Sequence, residues 1–373
     1  MLHTYPKISY SAVCFALMSL LMLIQVPKAE AQFDNSGEFI RAGIDDANTL
    51  FSSYLEPFGK GFGAGLNSGW VQSAKPHGKL GFNLSFRMSG ALVPNVDNSF
   101  DVTGLPLQKL EYANDANDSP ITPTFTGVRQ TGSRMIARHE ISDSETVTLA
   151  DFNMPQGIGI GVIPSPMIQA GVGIIRDTEI TLRYMPPVSM PFDGQANLWG
   201  GSIKHGLNQW IPGGALLPVD FSVMAGYTSL SMNVNLDVQP QEDQYTRNPY
   251  EDAPETWSDQ SLAFTSNGFT TMLLAGKNLP VLAIYGGVGY ERSTTTVATL
   301  GSFPVKVEDD QNDPERPMVI QKEDDPIDLE FSGTNSLRAM LGMRVRLGLF
   351  SINADYTHAR YPIASVGLGI SFR

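Results

Sequence analysis

Alternation of apolar and small polar residues at every second position is the feature of this sequence that most restricts its fold. The segment LRAMLGMRVRL places Leu, Met, Val and Ala on one face, with Arg338, Arg344 and Arg346 on the other. The same period of two recurs in six further segments: KLGFNLSFRMS, SPMIQAGVGII, EITLRYM, VDFSVMAGYT, LAIYGGVGYE and FSINADYT. A period of two is typical of β-strands whose two faces meet different surroundings. We therefore predict an all-β chain.

The composition of the polar face favours a closed barrel over a soluble sandwich. A sheet face in water favours charged and β-prone residues such as Thr and Lys, whereas this face is largely Gly, Ser and Asn with arginines. Small residues suit a crowded barrel interior. Tyrosines near strand ends fit an interfacial aromatic girdle: Tyr184, Tyr227, Tyr290 and Tyr356. We predict a transmembrane antiparallel β-barrel of about 12 to 14 strands over residues 79–373, with the soluble sandwich as the alternative.

The predicted connections differ strongly in length. RDT, GKNLP and the turn at Gly348 are short, whereas residues 239–260 and 308–328 are long and rich in Pro, Asp and Glu. Residues 106–156 are also polar, and their pattern predicts no particular structure. Short turns at one rim and long loops at the other are typical of outer-membrane barrels.

The N-terminus predicts export. Lys7 precedes the apolar run AVCFALMSLLMLI, and Ala29-Glu30-Ala31 supplies a small-x-small cleavage pattern. We predict a signal peptide over residues 1–31, cleaved before Gln32, rather than an N-terminal membrane anchor. Cys14 is the only cysteine and lies in that peptide. The predicted location is the cell outer membrane of a Gram-negative bacterium.

A plug and lead segment is predicted between the signal peptide and the barrel, over residues 32–78. Apolar residues recur there at helical spacing: Ile40, Ile44, Ala47, Phe51 and Leu55. We predict an amphipathic helix that ends at Pro57, followed by a flexible glycine-rich lead, GKGFGAGLNSGW.

The last residues, SVGLGISFR, resemble the final strand of bacterial outer-membrane proteins, which implies that Phe372 is read by the barrel assembly machinery. In many barrels of the Bacteroidota a basic residue follows that aromatic, as Arg373 does here. The runs GWVQSAKPHGKLGFNLSF, LWGGSIKHGLNQWIPG and LPVDFSVMAGYTSLSM resemble an uncharacterised family of Bacteroidota outer-membrane barrels. That family is similar in layout to the fatty-acid channel (FadL-like) barrels, which implies a plug inside the lumen. The Asn-Pro-Ala motif of those plugs does not occur between Gln32 and Gly78.

Charged residues on the polar face are the candidate lumen and constriction residues. They are Arg87, Arg183, Asp220, Glu291, Arg338, Arg344, Arg346 and Asp355. One interpretation is an electrostatic constriction that favours anionic solutes or a fatty carboxylate. The other is a salt-bridge ladder that holds the barrel together or contacts acidic residues of the plug, since buried charges are normally paired.

The sequence contains no pattern that predicts catalysis or a cofactor. The histidines show no metal-ligand spacing. We expect neither an enzyme nor a cofactor-binding protein. A net charge of −13 argues against nucleic acid as a partner. The expected partners are outer-membrane lipid, the barrel assembly machinery and an unknown small solute, with the chain a monomer or small oligomer.

Two functions remain open from the sequence. The first is passive transport of a small solute, a hydrophobic one included, across the outer membrane. The second is a non-transporting scaffold, or a partner of a secretion or surface-assembly system.

Overall fold

A computed structural model describes residues 44–115, 118–142, 145–190, 194–240, 245–309, 316 and 318–372. The predicted signal peptide, Ile40 and Arg373 lie outside the described residues.

Ten antiparallel strands form a closed barrel. All strands are numbered in chain order, and nine of the numbered strands lie outside the closed wall. The barrel strands are β1 (Phe82–Leu92), β7 (Val162–Gly173), β8 (Thr178–Met190), β9 (Gly194–Gly206), β10 (Asp220–Asn235), β12 (Ser261–Asn278), β13 (Leu282–Leu300), β17 (Leu337–Leu347), β18 (Phe350–His358) and β19 (Ile363–Phe372). Each strand pairs with two neighbours, and the pairing of β12 with β13 closes the ring. The first and last strands also pair, so that Phe82 faces Phe372.

The prediction of 12 to 14 strands is therefore wrong by at least two. The long polar segments contribute short strands at one rim instead of spanning hairpins. These are β2 (Ser99–Asp101), β3 (Leu110–Tyr112), β4 (Ile121–Pro123), β5 (Arg134–Ser142), β6 (Glu145–Asn153), β11 (Thr246–Arg247), β14 (Ser302–Glu308), β15 (Met318–Asp324) and β16 (Asp328–Ser332). Eight of them form separate two- and three-stranded sheets, and β16 lengthens the wall by pairing with β13.

The faces of the barrel strands follow the predicted alternation. In β1, Asn83, Ser85 and Arg87 are buried in the lumen, while Phe82 and Leu84 are exposed on the outer face. A continuous apolar outer surface of this kind is typical of a membrane-spanning barrel.

The tyrosines predicted for the girdle lie at one height on the outer surface. All four are exposed, and they lie six to eight residues into their strands, counted from Thr178, Asp220, Leu282 and Phe350. The neighbouring Trp199 contacts Tyr227 at a tilted angle, with ring centroids 5.5 Å apart. A second aromatic pair, Phe82 and Phe372, lies at the opposite end of the wall. Two aromatic levels flanking an apolar band match the girdles of a membrane barrel.

The two rims differ as predicted. At the short-turn rim, β7, β12 and β17 connect to their successors through 174–177, 279–281 and 348–349. At the long-loop rim, three of the five connections are long, over 93–161, 236–260 and 301–336. The connection from β9 to β10 at the short-turn rim carries two 3-10 turns, Asn208–Trp210 and Gly214–Leu216.

One helix, α1 (Ile44–Leu66), lies inside the barrel and packs against β1, β7, β12, β13 and β16. Ala47, Phe51 and Leu55 are buried as predicted, but Pro57 does not end the helix and the glycine-rich stretch is helical. Packing explains the difference. A Cβ added at Gly61, Gly63 or Gly65 would overlap wall side chains of Ile163, Ser293 and Ser165. Close approach to the wall outweighs the low helix propensity of glycine.

Within the described residues, no helix is both long and apolar enough to cross a membrane.

Candidate functional site

The helix α1 begins at the long-loop rim. The buried carboxylate of Asp46, in the first turn, accepts hydrogen bonds of 2.7 Å from the backbone N–H groups of Gln108, Lys109 and Leu110. Negative charge near a helix N-terminus is also favoured by the helix dipole. About two turns after Asp46, the Tyr54 hydroxyl donates to the carbonyl oxygen of Gln156 at 2.9 Å. The N-terminal half of the helix is therefore fixed to the long connection between β1 and β7, residues 93–161.

The helix ends in the middle of the lumen, on two arginines predicted from the sequence. Arg183 donates to the carbonyl oxygens of Leu66, at 2.8 Å, and Ser68, at 2.5 Å. Its guanidinium also lies 3.4 Å from the ring centroid of Trp70. Carbonyl groups at a helix C-terminus carry partial negative charge, so a cation is stabilised there without a carboxylate.

Arg338 holds the same end of the helix from the opposite strand. It donates to the carbonyl oxygen of Asn67 at 2.9 Å and to the Ser68 hydroxyl at 2.7 Å. It also forms a buried ion pair with Glu291, at 3.0 Å. The glutamate thus compensates the charge of an arginine that binds the plug.

Arg87 pairs across the lumen wall rather than with the helix. It forms a buried ion pair with Asp355 and donates to Asn353 Oδ1 at 2.6 Å. The structure therefore joins five of the eight predicted charges into contacts with one another or with the plug. This arrangement agrees with the paired-charge interpretation made from the sequence.

A third buried pair was not predicted from the sequence. Lys204 and Glu179 are 3.1 Å apart, and both also bind the chain that follows the helix. Lys204 donates to the carbonyl oxygen of Ser73 at 3.2 Å, and Glu179 accepts from the His77 N–H at 2.9 Å. Both residues lie on inward positions of β8 and β9, so a strict parity count of EITLRYM and LWGGSIKHG would have found them.

The remaining predicted residues lie towards the short-turn rim. Asp220 is half-buried at the start of β10, and Arg344 and Arg346 lie at inward positions near the end of β17. Among the described residues, none of these three side chains forms an ion pair. A pocket of about 60 Å³ lies between Arg344, Arg346 and the turn after β12.

The half of the lumen towards the long loops is apolar. Phe58 and Phe62 of the helix pack on Phe264 of β12, with ring centroids 5.4 and 5.8 Å away, and Phe125 lies 4.8 Å from Phe58. Buried Leu198 belongs to the same cluster. The lumen thus has an apolar half near the long loops and a polar half near the short turns.

The barrel wall is unpaired along part of its length, between β7 and β8. Their ladder runs from Gly173 and Glu179 to Gln169 and Arg183 and stops there. Residues 162–168 of β7 pair with β1 alone. Residues 184, 185 and 188–190 of β8 pair with β9 alone, with a register shift across 186 and 187. We call this unpaired stretch the seam. The seam begins at the level of the four girdle tyrosines, with Tyr184, and continues from there towards the long-loop rim.

Prolines explain why the ladder stops. The Ile174 N–H donates to the Thr178 carbonyl, so even-numbered residues of β7 bond across to β8. Continuing that register would place Pro166 opposite Pro186, and neither has an N–H to donate. Pro164 would follow on the same edge. The prolines were visible in the sequence as PSPM and MPPV, but only the register shows that they face one another.

The whole chain matches the model of one protein family. Residues 7–372 match a family of unknown function, DUF6588. The chain belongs to this family. No curated protein matches the sequence. Membership confirms that the family is one of unknown function, and the strand pairing agrees with the predicted barrel; the Bacteroidota origin stays a prediction.

Several solved barrels are similar to the chain at low identity. Ail, the attachment invasion locus protein of Yersinia pestis, is 7% identical over 79% of this chain and 99% of its own, with a TM-score of 0.25. The translocator domain of the autotransporter NalP from Neisseria meningitidis is 9% identical over 80% and 89%, with a TM-score of 0.25. A Pseudomonas aeruginosa FadL homologue is 11% identical over 79% and 89%, with a TM-score of 0.19. The fold assignment is based on the strand pairing of this chain.

No group of three or more potential metal ligands occurs within the part of the chain that the structure describes. His205 lies at the short-turn rim, where its ring forms hydrogen bonds with Thr178 and Trp210.

Proposed function

We propose that the protein is an outer-membrane barrel, closed to water at rest by its own helix, that passes a small apolar or amphipathic molecule through the seam. The observation that carries this proposal is the end of the β7–β8 ladder at Gln169 and Arg183. An unpaired stretch in a barrel wall is unusual, because closing a barrel normally pairs the edges of all its strands.

An aqueous route along the barrel axis is the less favourable path. Opening it would separate the helix from Arg183 and Arg338, which are both buried and hydrogen-bonded to the helix end. Breaking a buried, charge-assisted contact leaves unpaired groups and costs several kcal/mol, about 3–5 for a buried ion pair. The seam requires no such separation.

The surroundings of the seam suit an apolar molecule. Behind it, Ile163 and Met167 point into the lumen next to the apolar half and are buried. On its outer side Ile168, Tyr184 and Val188 are exposed at the outer aromatic level. A molecule with an apolar body and a polar end would match a passage from apolar lumen to membrane interface.

A disulfide across the seam tests this route. Ile168→Cys with Tyr184→Cys places two cysteines where the next hydrogen-bonded pair of the ladder would lie. Ala170→Cys with Leu182→Cys is the matched control, because those residues already face one another in the paired part and are also exposed. The only natural cysteine is Cys14.

The readout is uptake of a fluorescent dodecanoic acid by Gram-negative host cells that express each variant. We expect uptake above the host background for wild type and for the oxidised control pair. The oxidised seam pair should lose that uptake and regain it after reduction. Undiminished uptake by the disulfide-bonded seam pair contradicts the lateral route.

A non-transporting scaffold is the second candidate. The arginine contacts at the helix end favour it, because they hold the plug in place on both sides of the lumen. Wild-type cells with no uptake above the host background, in any redox state, would support the scaffold and exclude passage of this probe.

A further inference from the structure

Two arginines near the short-turn rim differ from the other inward-facing cations. Within the described residues, Arg87, Arg183, Arg338 and Lys204 all donate to carboxylates or carbonyls. Arg344 and Arg346, two inward positions in succession on β17, have no side-chain hydrogen bond or ion pair. Arg344 is only 7% exposed, and its Nη1 is a buried donor without an acceptor. A buried guanidinium without a partner is costly.

A second buried donor lies beside this arginine. Asn353 is the direct strand partner of Arg344, is 1% exposed, and its Nδ2 has no acceptor. The orientation of that amide follows from its other atom, because Oδ1 accepts from Arg87 at 2.6 Å. Two unmatched donors therefore occur at paired positions, and of these two residues Arg344 lines the pocket at the short-turn rim.

The local charge is positive and the space is small. Among the described residues, Arg346, Glu179 and Tyr285 act electrostatically on Arg344, and the carboxylate of Glu179 is already bound to Lys204 and to the His77 N–H. The pocket of about 60 Å³ is lined by Arg344, Arg346, Asn278 and the turn residues Leu279 and Val281. Its size suits one small oxyanion rather than a large organic acid.

We propose that Arg344 and Arg346 form a binding site for a small oxyanion, a phosphate or a carboxylate, at the short-turn mouth of the barrel. Guanidinium groups bind such anions through paired, charge-assisted hydrogen bonds. Water on that side reaches the mouth of the pocket, because Arg346 is half-buried at the strand end and the lining turn residues Leu279 and Val281 are exposed. This site is independent of the seam and extends the proposed function.

The test is calorimetric titration of the purified, full-length barrel in detergent with inorganic phosphate and with acetate. Sodium chloride at equal ionic strength is the reference for simple screening. We expect saturable binding of the oxyanions that chloride does not reproduce. The double variant Arg344→Gln/Arg346→Gln should weaken it at least tenfold.

Two further variants keep the test decisive. Arg176→Gln removes an exposed arginine from the same rim and should leave binding unchanged. Arg346→Gln alone changes a half-buried residue at the strand end, so the barrel should fold even where the double variant does not, and it should weaken binding severalfold. Heat-modifiable electrophoretic mobility reports folding in each case.

Three results overturn the proposal. They are oxyanion binding no stronger than that of chloride, equal binding by wild type and a folded arginine variant, or an equal loss in Arg176→Gln. The last result would show that net charge at the rim, and not the pocket, attracts the anion.

Discussion

Replacing Arg183 by methionine should release the end of the plug helix. The substitution removes charge-assisted hydrogen bonds from Arg183 to the carbonyl oxygens of Leu66 and Ser68. Each such bond contributes about 1.5–3 kcal/mol. The substitution also removes a desolvated cation–π contact with Trp70, which contributes about 2 kcal/mol. Removing a buried cation that has no carboxylate partner offsets part of this loss. We expect the free energy of unfolding to fall by about 2–4 kcal/mol, within the range for a broken buried polar network.

The same change should raise the population of undocked helix. A loss of about 2–4 kcal/mol corresponds to a factor of about 30 to 700 in that population, at about 1.4 kcal/mol per tenfold. The assay is urea unfolding followed by heat-modifiable mobility, with Trp70 fluorescence as the local probe. Arg292→Met is the control, because that arginine is exposed on the outer face of β13, and its effect should stay within about 0.5 kcal/mol. Equal effects of the two substitutions would refute the plug-anchoring role of Arg183.

Three further predictions concern the packing of α1, the side of the membrane on which it begins, and the ion pair of the β5–β6 hairpin. Gly63→Val should destabilise the plug by about 1–3 kcal/mol, because its Cβ would overlap the wall, whereas Lys60→Ala should cost under about 1 kcal/mol by urea unfolding. An epitope inserted before Ile44 should bind antibody on intact cells, since the helix starts at the long-loop rim; binding only after permeabilisation would show the reverse orientation. The Arg134 hydrogen bond lowers the pKa of Asp151 below its ordinary value, so this pair stabilises the β5–β6 hairpin above about pH 4 and weakens as pH falls through the lowered pKa; NMR titration should show that pKa return towards normal in Arg134→Gln.

The barrel could be predicted from sequence because its signal is local. Alternation depends only on the surroundings of each strand face, and the structure places Arg87, Glu291 and Asp355 at buried positions on the polar face. Strand number was harder, because residues 134–142 and 145–153 form a hairpin as regular as a barrel hairpin but lie outside the wall. Only the pairing partners distinguish the two cases.

The helix and the seam depended on tertiary contacts that the sequence does not display. Glycines predict a flexible lead by propensity, but Gly61 and Gly65 are helical because the wall leaves no room for a larger side chain. The seam depends on the register that would oppose Pro166 and Pro186. The partners of the arginines likewise depend on where the helix ends. Arg183 is satisfied only because the helix end brings the carbonyl groups of Leu66 and Ser68 next to it.

Planar-bilayer conductance of the intact protein tests the central claim most directly, namely that the helix closes the barrel to water at rest. The filled lumen and the arginine contacts predict that wild type is silent, while Arg183→Met shows intermittent openings from its larger undocked population. Steady conductance by wild type, equal to that of Arg183→Met, would contradict a closed barrel and show that the helix is no plug.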